Sequence, residues 1–69
     1  MALLVGGPLH GEDRDLPDDL LFVTIPMDDG ERTPYSRVHI TDEGQQVEIW
    51  GWAPYCYRQV QAYYFDLKS

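Results

Sequence analysis

Between residues 20 and 27 one alternating set of positions is wholly apolar. There Leu21, Val23, Ile25 and Met27 occupy every second position, the pattern of a strand with one buried face. A second pair of alternating runs, residues 35–41 and 46–52, brackets Asp42-Glu43-Gly44-Gln45 and predicts a hairpin. Its register can be read, because a slip of one residue would send every side chain to the other face. With those four residues as the loop, Thr41 stands opposite Gln46, Ile40 opposite Val47, Val38 opposite Ile49 and Ser36 opposite Gly51. The other face then pairs His39 with Glu48, Arg37 with Trp50 and Tyr35 with Trp52, each a favourable cross-strand combination. A three-residue loop would set Ile40 against Gln46 and Val38 against Glu48, so the longer loop is preferred.

Two more extended pieces precede these. Ala2-Leu3-Leu4-Val5 reads as a first strand closed by Gly6-Gly7-Pro8, and a short extended piece is expected around residues 12–16 before the turn Pro17-Asp18-Asp19. Asp28-Asp29-Gly30-Glu31 is a turn, read as a projecting loop because Pro26 and Pro34 bracket it. Beyond Trp52 the pattern is ambiguous. Ala53, Cys56, Val60, Tyr63 and Leu67 lie at helical spacing, yet five aromatics between residues 55 and 65 favour a strand. We expect a final strand over residues 60–67, with a short helical turn at 54–58 as the alternative. Gly or Pro recurs from residue 6 to residue 54 at intervals too short for an ordinary helix. The expected fold is therefore all-β, a mainly antiparallel small sheet or barrel-like sandwich forming a single domain over residues 1–69.

Composition narrows the function. The 69 residues carry twelve acids against five bases, a net charge of −7. Binding to nucleic acid gains its affinity from Lys and Arg on phosphates, and anionic membranes attract basic segments. Neither partner is expected. The apolar stretch at residues 2–5 is too short for a signal peptide or a membrane span. With Cys56 alone, no internal disulfide can form; the thiol reads as a small core residue. His10, His39 and Cys56 are too far apart in sequence for a structural zinc site, and the acids at 13, 15, 18 and 19 lack the spacing of a calcium loop. Gly6-Gly7-Pro8-Leu9-His10-Gly11 lacks the Gly-Lys-Ser/Thr ending of a phosphate loop; Gly6, Gly7, Pro8 and Gly11 read as a structural turn. No cofactor, metal or catalytic group is expected, and an enzyme is disfavoured for want of convergent polar residues.

The aromatic load remains. Tyr35, Arg37, Trp50 and Trp52 share one face of the predicted hairpin, and Tyr, Trp and Arg are the types that dominate protein interfaces. Either this face meets another protein, or the chain's own loops or C-terminal segment cover it. A chain this short has little material to cover both faces of a sheet, which makes Tyr35, Arg37, Trp50 and Trp52 the candidate contact residues.

The stretch Leu3-Leu4-Val5-Gly6-Gly7-Pro8-Leu9-His10-Gly11 resembles the opening box, Gly-Gly-Pro-x-Asp-Gly, of very small proteins encoded by phages of actinobacteria. The later Leu-Pro-Asp turn, an apolar strand ending in Pro and a Tyr-x-Arg strand, here Tyr35-Ser36-Arg37, are similar too. His10 stands where that group usually has Asp. Some such genes lie among virion structural genes, so the resemblance implies a minor capsid or decoration protein that binds the major capsid protein, another virion protein or a second copy of itself. The alternative is a small acidic phage protein that binds and inhibits a host protein, for instance as a mimic of DNA charge.

Overall fold

The computed structural model describes residues 2–17 and 19–69; Met1 and Asp18, part of the expected turn at 17–19, lie outside the described residues. Five strands form one sheet: β1 (Ala2–Val5), β2 (Asp13–Arg14), β3 (Phe22–Pro26), β4 (Arg32–Asp42) and β5 (Gln45–Trp52). Their order across the sheet is β2-β1-β5-β4-β3. The structure is mostly β, as the alternation predicts. The sheet is mixed, however, because β1 runs parallel to β5, with Leu4 beside Trp50 and Val5 beside Gly51.

The β4–β5 hairpin has the predicted register from Tyr35↔Trp52 through Thr41↔Gln46. Pairing continues to Asp42↔Gln45, so the connection shrinks to two residues. Glu43 (φ 51°) and Gly44 (φ 80°) both have positive φ, the twist-matched turn that two-residue hairpins favour. The β3–β4 connection is also tighter than the expected projecting loop. Met27 N–H donates to Glu31 O at 2.8 Å and Gly30 N–H to Met27 O at 3.1 Å, closing a three-residue hairpin loop.

The expected final strand is instead a helix, α1 (Tyr57–Lys68). Helical spacing outweighs β propensity here because it aligns Val60 and Tyr64 on one face, and both are buried against the sheet. The start is fixed by Gln59, whose Oε1 accepts from Cys56 N–H at 3.2 Å, half of a capping box. Docking also needs a flat place on the sheet. A Cβ at Gly51 would come within 2.8 Å and 2.9 Å of the two methyls of Val60, so the glycine lets the helix approach. At its far end, Tyr64 Oη and Lys68 Nζ both donate to Asp42 Oδ2 beside the hairpin turn.

The sheet is thus covered on both faces. On one side Val5, Ile40, Ile49, Val60 and Tyr64 form a core beneath the helix. On the other, Leu4, Leu9, Ile25, Tyr35 and Trp50 form a second core beneath the segment that follows β1, with Leu16 packed against it. The accessible surface is 4653 Å², close to the roughly 4500 Å² expected of a folded monomer of this mass. The chain closes on itself as well as an ordinary small domain does.

Candidate functional site

The Gly-rich loop is what covers the second face. From the end of β1 it doubles back through two turns, with His10 N–H donating to Gly7 O at 3.3 Å and Glu12 N–H to Leu9 O at 3.1 Å. Leu9 enters the core at 8% exposure. The buried Tyr35 hydroxyl pins the loop: it donates to Gly6 O at 2.6 Å and accepts from Leu9 N–H at 3.1 Å. Burial is the main reason its pKa is raised, with the Leu9 hydrogen bond opposing. Gly6 N–H is taken by His10 Nδ1 at 2.7 Å, so that nitrogen must carry a free lone pair. Gly7 (φ 68°) lies directly under the Trp52 indole, where a Cβ would come within 2.5 Å of the ring. Gly6 is equally confined by Tyr55. Pro8 is exposed at the turn, and Gly11 N–H returns to Leu4 O at 2.8 Å.

The four expected contact residues are therefore mostly internal. Tyr35 is 0% and Trp50 4% exposed. Arg37 lies over the Trp50 ring, 5.2 Å from its centroid, and donates to Pro17 O at 3.2 Å. Leu16, next to Pro17, packs against the same core. Trp52 is half-buried, its Nε1–H donating to the buried Thr33 Oγ1 at 2.8 Å. Of the two readings of the face bearing Tyr35, Arg37, Trp50 and Trp52, cover by the chain's own loop fits Tyr35 and Trp50, which Leu9 and Leu16 of the segment after β1 pack against, while Arg37 and Trp52 are only partly covered. Cys56 is not the core residue expected. It precedes α1 and is exposed, because the helix turns Val60 and Tyr64 inward instead.

Beside the loop, Trp52, Tyr55, Tyr63 and His10 form an aromatic chain. Trp52 meets Tyr55 edge-on at 4.9 Å, Tyr55 stacks on Tyr63 at 5.2 Å, and His10 meets Tyr63 edge-on at 5.5 Å. This cluster seals the junction of loop, sheet and helix. A recess of about 330 Å³ lies between Glu12, Arg14 and the β3–β4 turn, with Asp28 and Asp29 on its rim. Its one base, Arg14, is already held by Glu12 at 2.9 Å, which leaves no convergent set of acid, base and nucleophile there. Among the described residues no three His, Cys, Asp or Glu side chains group as a metal site requires, and no helix is long and apolar enough to cross a membrane.

The surface feature that stands out is the edge of the sheet at β3. Leu20, Leu21 and Phe22 are consecutive and 41%, 73% and 54% exposed. Sequence alternation placed Leu21 on the buried face with Val23 and Ile25, but Leu21 precedes β3 and stays in solvent. Arg37 N–H donates to Leu21 O at 2.9 Å. By the alternation of an antiparallel ladder, Phe22 and Thr24 then direct their backbone groups away from β4. Because β3 ends the sheet, those groups face outward. No family model matches the sequence, and comparison with curated proteins and with solved structures finds no match.

Proposed function

We propose that the protein acts by binding other protein, as a minor capsid or decoration protein of a phage virion seated on the major capsid protein. The observation that carries this reading is the run Leu20-Leu21-Phe22, exposed at an open sheet edge. Adjacent large apolar side chains beside unpaired backbone groups are a template for another chain, and proteins normally protect such edges. The resemblance of the Gly-Gly-Pro box to small phage proteins supplies the setting. The engaged polar groups support a binding role over a catalytic one: the Tyr35 hydroxyl ties β4 to the loop, the Asp42 carboxylate ties β4 to the helix, and His10 Nδ1 closes the loop on itself at Gly6.

Mass spectrometry of purified particles from the encoding phage tests the assignment. The expected result is this chain in many copies per particle. Its presence in infected-cell lysate but not in particles would overturn the virion reading and favour the acidic host-protein inhibitor.

A further inference from the structure

We infer that the outer edge of β3 takes up an extended segment of a partner protein, apolar at its centre and basic at its flanks, as a sixth strand of the sheet. This rests on the protein-binding reading above and names the partner's chemistry.

Three observations converge. The backbone N–H and C=O groups of Phe22 and Thr24 point outward along an edge that no other strand of the sheet occupies. Residues 20–27 contain no charged side chain, so the protective charges usual at an edge are missing from the strand itself. The nearest charges in sequence are acidic, Asp19 before the run and Asp28, Asp29 and Glu31 after it, while the first bases on either side are already engaged, Arg14 with Glu12 and Arg32 with Thr24 Oγ1 at 3.3 Å. An added strand pairs its backbone with Phe22 and Thr24, while its flanks come beside these carboxylates. Basic flanks gain attraction there and acidic flanks are repelled. Pro26, which lacks an N–H, limits donation to the stretch before it.

The same pattern argues against a second copy as the occupant. Antiparallel self-pairing centred on Thr24 would bring Asp19 beside Asp29 of the copy, and centring on Phe22 would oppose Asp19 to Ile25. Each chain also carries a net charge of −7, with no basic strand end to offset it.

The test uses the full chain with a synthetic probe, Lys-Lys-Val-Thr-Val-Thr-Val-Lys-Lys, and a control in which Glu replaces each Lys. Amide hydrogen exchange is followed by NMR. The basic probe should slow exchange at Phe22 and Thr24 about tenfold or more, and the acidic control should not. Thr24→Pro removes an outward donor without touching a β3–β4 bond and should abolish the protection. Phe22→Lys gives the same readout should the proline variant fail to fold. Absence of slowing at both amides, equal slowing by both probes, or protection of these amides by dimerisation without probe would overturn the inference. Probe binding by a chain absent from particles would remove the virion reading and leave this inference standing. A chain that stays in particles as Thr24→Pro would do the reverse.

Discussion

At the residue scale, function-like residues turn out to be structural fasteners. Tyr35 is the clearest. Its hydroxyl satisfies Gly6 O and Leu9 N–H inside the core, so Tyr35→Phe leaves both without that partner. The expected loss is about 1–3 kcal/mol, measured by urea unfolding. Trp50 is equally internal, and Trp50→Ala should destabilise by about 3–5 kcal/mol through the cavity left behind. A folded, stable Trp50→Ala would contradict the placement of this ring. Gly7→Ala forces a side chain into positive φ and against the Trp52 indole; a drop of about 1–3 kcal/mol follows from the crowding alone. Cys56 behaves in the opposite way. It is exposed at the N-cap of α1, so Cys56→Ser, which puts a preferred cap residue there, should not destabilise the fold, and the native thiol should react with a disulfide reagent without prior unfolding.

At the element scale, what local pattern determines was legible and what tertiary cover determines was not. Hairpin register depends on pairs of side chains a few residues apart, and β4–β5 follows it pair for pair. The β1 strand depends on four apolar residues and a Gly-Gly-Pro stop, which the sequence shows directly. The C-terminal segment carried conflicting signals, since aromatics favour strands while the spacing of Cys56, Val60, Tyr63 and Leu67 favours a helix; of that set Val60 is buried, and its partner is Tyr64 rather than Tyr63. The conflict is settled by a long-range feature, the space over Gly51. The choice between the two readings of the aromatic face was illegible for a similar reason: the Tyr35 hydroxyl bonds and the Arg37–Pro17 bond join residues 20 to 29 positions apart. The helix is locked at Asp42, whose carboxyl is held below its ordinary pKa first by the Lys68 hydrogen bond and also by that of Tyr64, against desolvation. A depressed carboxyl contributes stability above its unfolded pKa, which is lost as pH falls through the folded value. Asp42→Asn should therefore lower the melting temperature at neutral pH and flatten its decline below about pH 4, as scanning calorimetry across that range would show.

At the scale of the whole molecule, a short chain covers both faces of a five-stranded sheet by using a helix on one and an irregular loop on the other. On the proposal made above, association with another protein is the function and the β3 edge, which ends the sheet, is the place for it. Asp19, Asp28, Asp29 and Glu31 flank that strand in the sequence. The most direct measurement is co-sedimentation of the chain with particles of the encoding phage, comparing wild type, Phe22→Lys and Tyr57→Lys. Phe22 and Tyr57 are similarly exposed, at 54% and 50%, but only Phe22 lies on the edge strand. The account predicts that wild type and Tyr57→Lys sediment with the particles while Phe22→Lys stays in the supernatant, folded. Retention of Phe22→Lys at the wild-type level would contradict it.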